Sequence, residues 1–270
     1  MGRVRRITSR ANPLVARFRD VARGRGPAGT VLLDGAHLVS EAIRSRVPLE
    51  IVVISDAIVD GELPEVDGAA GTGGEVVRVP ATVMAAMSPV REPSGVVALA
   101  TVKPVTVDQV LVHAVPLLLV LDGIQDAGNV GAIVRTAEAT GATGVVTTPG
   151  TADPFGWKAL RGAMGSTFRL PVAIGQSSQD VVNRLRDRGI AVLATVPRGG
   201  TSLPLCDLQR PVAILLGGEG AGLSHELVAV ADERISIPMR APVESLNVAV
   251  SAALVLYEAA KQRAEHVPVS

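Results

Sequence analysis

The stretch Leu121–Val146, LDGIQDAGNVGAIVRTAEATGATGVV, begins as a strand, turns through glycine, runs as a helix and ends as a second strand. On that helix Val130, Ile133, Val134 and Ala137 recur at i, i+3, i+4 and i+7, so they share the face turned to a core. With about 100° of rotation per residue, Arg135 points roughly opposite that stripe. Asn129 is placed to cap the helix by accepting from its first free amides. Taken alone, the stretch is an αβ unit with a capped helix and a solvated arginine. A dinucleotide-binding turn would require G-x-G-x-x-G directly after the strand, and DGIQDAGNVGAI does not supply it.

Working outward, the second half continues in the same rhythm. LLLVLD, GVVTT, IAVLATV, VAILLG and RISIP read as strands with helices between them. They are apolar on both faces, which predicts a parallel sheet covered on both sides. The first half repeats the pattern with strands at Val31–Leu33, LEIVVIS, EVVRVP and SGVVALATV, and helices in AHLVSEAIRS and ATVMAAMS. The Asp60–Glu75 stretch DGELPEVDGAAGTGGE reads as a flexible connector. KPVTVDQVLVHAVP, bracketed by Pro104 and Pro116, reads as a linker. The expected organisation is an α/β domain over 1–102, a linker over 103–115 and a second α/β domain over 116–270. In the final helix only Ser251 interrupts the apolar surface from Val248 to Tyr257. A helix apolar all round must be buried, in its own domain or against another subunit, so this one is expected to be a dimer element.

Composition narrows the function classes. Of 270 residues 47% are hydrophobic and 19% charged, with a formal net charge of zero, which suits a folded chain with a sizeable core. The balance conceals an arginine-rich opening: Arg3, Arg5, Arg6, Arg10, Arg17, Arg19, Arg23 and Arg25 face Asp20 alone. That opening is either a phosphate-seeking arm or a solubilising tail. The lone Cys206 excludes a disulfide within the chain and fits a reducing compartment, as a small core residue rather than a nucleophile. No apolar run reaches the roughly 20 residues that span a bilayer, and the opening lacks a secretory apolar stretch, so a cytoplasmic protein without membrane contact is expected. At 2% aromatics, base stacking cannot be the main grip on a nucleic acid. His37, His113, His225 and His266 are isolated, with no acid or cysteine at metal-ligand spacing. There is no phosphate loop, and MGST around Ser166 is not a nucleophile elbow.

Polar residues just after strand ends carry the remaining signal. In LLGGEGAGLS (Leu215–Ser224) the adjacent Gly217 and Gly218 would let a ligand approach the backbone, Gly220 and Gly222 permit positive φ, and Glu219 sits within the loop. Ser224 is placed to cap the next helix. In ISIPMRAPVESLNVAVSAAL (Ile235–Leu254) a strand ends at Pro238 and a polar loop leads into the apolar helix. Ser245 or Asn247 can cap that helix, and the same helix start can bind polar ligand groups.

Taken together and in this order, NVGAIVRTAEATGATGVV, LLGGEGAGLS and ISIPM…ESLNVAVSAAL resemble the three motifs of the SpoU (TrmH) family of RNA ribose methyltransferases. In the first half ITSRANPLVARFRD, LLDGAHLVSEAI and PSGVVALA resemble an N-terminal substrate-binding domain similar to ribosomal protein L30e. The resemblance implies a SPOUT fold, in which the C-terminal segment threads a trefoil knot. It implies S-adenosylmethionine bound in bent form by the knotted loops at a homodimer interface, at positions corresponding to Gly217, Gly218, Ile237 and Leu246. The implied reaction is methyl transfer to a ribose 2′-hydroxyl. Arg135 would steer the RNA phosphate and stabilise developing alkoxide charge, since an arginine that stays protonated is a poor base. Asn129 and Glu219 would orient Arg135 and the ribose, and Ser245 and Asn247 would shape the third loop. The L30e-like domain favours ribosomal RNA over tRNA. A non-catalytic RNA-binding protein of the same fold is the alternative, opposed by the presence of Arg135, Glu219, Ser245 and Asn247 together. The departures from the motifs, APVE before SLN and Ala249 where serine is common, remove none of these side chains.

Overall fold

In the computed structural model, which describes residues 5–59, 74–175 and 177–264, the apolar runs of the first half become one mixed sheet. Its strands are β1 (Arg5–Arg6), β2 (Thr30–Asp34), β3 (Leu49–Ser55), β4 (Glu75–Val79) and β5 (Val96–Thr101), in the order β1-β4-β3-β5-β2. β4 runs parallel to β1 and β3, while β5 is antiparallel to β2 and β3. Helices α1 (Pro13–Ala22), α2 (Ala36–Arg44) and α3 (Ala81–Met87) complete this part.

From Arg5 onward the arginine-rich opening is not a free arm. Asn12 accepts from Leu14 N at 2.9 Å and Pro13 occupies the first helical position, where its missing N–H costs nothing. Val15, Phe18 and Val21 bury the inner face of the helix so started. The arginines between them are turned outward and mostly engaged. Arg5 meets Glu75 at 3.1 Å, Arg6 meets Asp56 at 2.6 Å, Arg17 pairs with Glu50, and Arg19 Nε donates to Ala86 O at 2.8 Å. The apolar spacing inside the basic run decided this outcome. Arg3, His266 and nearly all of the Asp60–Glu75 connector lie outside the described residues.

The second half forms a seven-stranded sheet, parallel throughout, from β6 (Leu117–Asp122), β7 (Gly144–Thr147), β8 (Val172–Ile174), β9 (Ala191–Thr195), β10 (Thr201–Ser202), β11 (Val212–Gly217) and β12 (Glu233–Ser236). The order is β10-β12-β9-β11-β6-β7-β8, so β11 enters between β6 and β9 after both are laid down. β8 and β10 are too short to announce themselves by periodicity. Leu118, Val120, Ala213 and Leu215 belong to a core completed by α4 (Val107–Val110), by α7 (Ser178–Asp187) and by Leu227 of the short helix α8 (His225–Val230). The alternate residues Leu117, Leu119, Leu121, Ile214 and Leu216 are buried as well and face the other side. There α5 (Ala127–Ala139) and α9 (Val248–Ala264) pack against each other. The parallel, doubly covered sheet is as expected.

Two boundaries differ from the expectation. Residues 104–115 are not a bare linker: Thr106 and Gln109 form a reciprocal capping box, and Val107, Val110 and Leu111 are buried in the second core. Their i, i+3, i+4 spacing makes one apolar face, which the flanking prolines mask in the sequence. Of two compact units, one comprises 1–103 together with 155–168, the other 104–154 with 169–270. Segment 155–168 carries the helix α6 (Trp157–Ala163), where Arg161 lies 3.9 Å from the buried Asp34.

On α9 the apolar surface is covered on one side only. Val248, Ala252, Val255, Leu256 and Ala259 are buried, whereas Val250, Leu254 and Tyr257 are 49%, 41% and 68% exposed. At the helix end Arg263 donates to four backbone carbonyls, Leu208 O (2.9 Å), Val115 O (3.1 Å), Pro116 O (3.1 Å) and Arg210 O (2.9 Å). Among the described residues no helix is long and apolar enough to cross a membrane.

Candidate active site

The C-terminal ends of β9, β11 and β12 open into a cavity of about 500 Å3. Its wall includes Gly217, Gly218, Glu219, Ile237, Leu246 and Asn247, with Ser245 alongside. Thus the second and third groups of residues singled out in the sequence, separated by the whole of α8 and β12, share one enclosure.

The first group reaches it through side chains. Asn129 Nδ2 donates to Glu219 Oε1 at 2.8 Å, and Asn129 Oδ1 accepts from Asn247 Nδ2 at 3.2 Å. This pattern determines which end of the Asn129 amide is nitrogen, since Glu219 as a carboxylate offers only acceptors. Asn129 is therefore not the cap of α5. Asp126 is, accepting from Asn129 N at 2.8 Å, and a carboxylate three residues upstream outcompetes an amide already inside the helix. Asp126 was legible as a cap from its place before the apolar stripe. Asn247 does cap its helix, its Oδ1 accepting from Ala249 N and Val250 N at 2.9 and 3.2 Å, and Ser224 caps α8 as expected.

Glu219 feels opposing effects. Burial disfavours its charge, yet hydrogen bonds from the Asn129 side chain and from the amides of Glu219, Gln125 and Asp126 outweigh it and hold the carboxyl below its ordinary value. It is the one charged side chain among the residues lining the cavity, where no lysine, arginine or histidine appears.

The glycines of this wall also serve the fold. A Cβ on Gly217 would fall 2.3 Å from Gly222 C, and one on Gly218 would fall 2.2 Å from Gly123 O. The close approach is made by the chain's own backbone, which presses the loop after β11 onto itself and onto the loop after β6. Gly220 and Gly222 do adopt positive φ, 86° and 67°, and Gly222 N donates to Gly218 O at 3.0 Å to close the turn.

Arg135 stands apart. It is exposed on α5, opposite the buried Val130, Ile133, Val134 and Ala137, as periodicity predicts. No hydrogen bond or ion pair joins it to Asn129, Glu219 or any other described residue. Six positions beyond Asn129, it lies about 9 Å along the axis and about 120° around it. The arrangement therefore orients the loops through Asn129 and Glu219, not the guanidinium. Thr195, Ser236 and Ser251 also line the cavity, and the first two could have been found as hydroxyls at strand ends. Thr195 Oγ1 donates to Leu215 O at 2.8 Å and Ser236 Oγ to Gly200 O at 3.1 Å. Cys206 is buried away from the cavity wall and its thiol is pushed up to about 11 by burial, consistent with a core residue. Among the described residues no group of histidine, cysteine and acids could hold a metal ion.

The cavity fits S-adenosylmethionine on its own chemistry. Its volume suits a ligand of that size, its walls offer apolar side chains and bare loop backbone, and its single charge is negative, which favours a sulfonium over a phosphate-bearing cofactor.

Comparisons with known proteins agree. The profile of the SpoU rRNA Methylase family matches residues 116–257, and that of an MRM3-like substrate binding domain matches residues 15–98. An uncharacterised tRNA/rRNA methyltransferase of Synechocystis is 34% identical over 262 residues, 95% of this chain and 94% of that protein. The 23S rRNA (guanosine(2553)-2′-O)-methyltransferase RlmP of Bacillus subtilis is 32% identical over 86% of this chain and 89% of its own. The crystal structure of an AdoMet-bound rRNA methyltransferase from Sinorhizobium meliloti superposes with a TM-score of 0.86 at 29% identity, covering 98% of this chain and all of that one. The chain belongs to the SpoU rRNA methylase family.

Proposed function

We propose that this protein transfers a methyl group from S-adenosylmethionine to a ribose 2′-hydroxyl of RNA, with ribosomal RNA favoured over tRNA. The observation that carries the proposal is the cavity in which Glu219, linked through Asn129 to Asn247, brings three distant segments to the mouth of strands β9, β11 and β12. The ribosomal preference rests on the relatives named above, of which the Bacillus protein is a 23S rRNA 2′-O-methyltransferase, and on the match to a substrate-binding domain in the first half.

When bound, S-adenosylmethionine supplies a methyl group already activated on a sulfonium. The protein's share is then placement and charge. Gly217, Gly218, Ile237 and Leu246 hold the donor through backbone and apolar contacts. The fixed Asn129–Glu219 bond keeps the loops after β6 and β11 in register, and Ser245 and Asn247 shape the third wall. Arg135, exposed and without a counter-charge, steers an RNA phosphate and offsets the charge that grows on the 2′-oxygen. Its guanidinium stays protonated, so it acts as an electrostatic group and not as a base.

The reading includes two features of assembly. The placement of β11 between β6 and β9 supports the trefoil knot that the family resemblance implies. The exposed stripe Val250, Leu254 and Tyr257, at i, i+4 and i+7 of α9, supports a homodimer with a second copy covering it. The first unit serves as the RNA-binding domain and the second, with residues 104–115 packed into its core, as the methyltransferase.

The test is transfer of labelled methyl from S-adenosylmethionine to unmodified 23S rRNA and to unmodified tRNA, by the protein and by Arg135→Ala. Transfer to rRNA by the wild type, lost at least a hundredfold in the variant with donor binding retained, is expected. Donor binding without transfer to either RNA would favour a binding-only protein, and equal rates in both proteins would remove Arg135 from the chemistry.

A further inference from the structure

Six of the ten arginines of the second unit have a partner. Arg169 pairs with Glu138 (2.5 Å), Arg184 with Asp180 (2.9 Å), Arg186 with Asp232 (3.4 Å), Arg188 with Asp108 (3.6 Å) and Arg210 with Glu233 (3.1 Å). Arg263 is spent on backbone carbonyls. Apart from Arg135, only Arg198, Arg234 and Arg240 lack such a partner among the described residues. Arg234 lies within β12 itself. The other two are chain neighbours of the cavity wall: Arg198 directly follows Pro197 and Arg240 directly follows Met239, and both of those residues line it.

The two loops that carry them are neighbours. β9 and β12 pair in parallel, so both chains leave the sheet at the same end. Val196 N donates to Ile235 O at 2.9 Å and Ser236 Oγ to Gly200 O at 3.1 Å, fastening the loop after β9 to the end of β12. Both arginines are exposed, and Glu244, in the same loop as Arg240, makes no ion pair with either. Two cations left without counter-ions next to the wall of a cavity whose own charge is negative are placed for an anionic ligand that enters without filling the cavity floor. An RNA strand has this form, because the ribose it presents is flanked by phosphodiesters.

We infer that Arg198 and Arg240 bind the backbone phosphates flanking the nucleotide presented to the cavity. The inference rests on the RNA methyltransferase reading. It concerns positioning and carries no base specificity, because phosphate contacts fix register without reading sequence.

The test uses the full chain, unmodified 23S rRNA transcript as probe, and the double variant Arg198→Gln/Arg240→Gln. Arg188→Gln, which removes a charge that is also exposed but paired, is the control. RNA affinity should fall about tenfold in the double variant, and the slope of log affinity against log salt should flatten by about 1.4, near 0.7 for each single-stranded phosphate contact. Affinity for S-adenosylmethionine and kcat at saturating RNA should stay within about twofold, the loss appearing in KM. An unchanged salt slope, or an equal loss in Arg188→Gln, overturns the inference. Because direct binding is read separately, absence of methyl transfer by the wild type would count against the enzymatic reading while the salt slope still decides the role of these arginines.

Discussion

Asn129 Nδ2 donates to Glu219 Oε1 at 2.8 Å, although the two residues are 90 positions apart in the chain. The bond joins the helix after β6 to the loop after β11, and the same Asn129 accepts from Asn247 at the head of α9. One amide thus spans the three segments that build the cavity.

Converting Asn129 to Asp should separate geometry from charge. The variant keeps the size of the side chain but sets a second carboxylate against Glu219 and removes the donor. Affinity for S-adenosylmethionine should fall about tenfold near neutral pH, measured by titration calorimetry. Undiminished affinity would show that the link does not hold the loops in place.

The lowered pKa of Glu219 sets a direction for pH. Its carboxylate is favoured in the folded protein, so its contribution is fully present above the ordinary value of 4.5 and is lost as pH falls through the lower folded value. The unfolded chain binds the proton first on acidification, so stability must rise with pH across that window. Urea unfolding should give a wild-type advantage over Glu219→Gln that is constant from about pH 8 to about pH 5 and closes below it. An advantage that grows on acidification contradicts the assignment.

Gly218→Ala tests the pressed loops. The added methyl would lie 2.2 Å from Gly123 O, a backbone atom that cannot rotate away. A cost of about 1–3 kcal/mol in urea unfolding is expected, together with loss of cofactor affinity. Gly220→Ala, strained in φ but meeting nothing within 4 Å, should cost about 1 kcal/mol.

Arg263 fastens the end of α9 to carbonyls before β6 and β11. Burial lowers its pKa, yet it stays charged well above neutrality. Arg263→Ala strands two partly buried acceptors and should cost about 2–3 kcal/mol, with Arg263→Lys recovering only part, because an ammonium cannot reach four carbonyls in the guanidinium's planar fork. Chemical denaturation of the three proteins reads this directly.

Leu254→Glu addresses the exposed stripe on α9. The side chain is 41% exposed, so the substitution should leave the circular dichroism of the chain intact while light scattering shifts from dimer to monomer mass. A wild type that is already monomeric at micromolar concentration removes the second copy from the proposal.

Periodicity and strand-end chemistry carried the sequence a long way. The core face of α5, the outward Arg135, the positive φ of Gly220 and Gly222, and the parallel, doubly covered sheet all follow from local spacing, because side-chain direction in a helix or strand is a local property. The same local logic named Asn129, Glu219, Ser245 and Asn247 but assigned some of them the wrong neighbours. It took Asn129 for a cap, did not foresee the backbone that Gly217 and Gly218 press against, and left the arginine run open between arm and tail. These gaps share a cause: each depends on which distant segment arrives alongside. That β11 enters between β6 and β9, that Gly218 meets Gly123, and that Asn129 finds Glu219 and Asn247 are consequences of strand order alone. The sequence by itself determined the elements, their buried faces and the chemical character of the loops. Only the tertiary structure decided which loops meet, since contacts across 90 residues are set by packing of the whole sheet and leave no periodic mark in the chain.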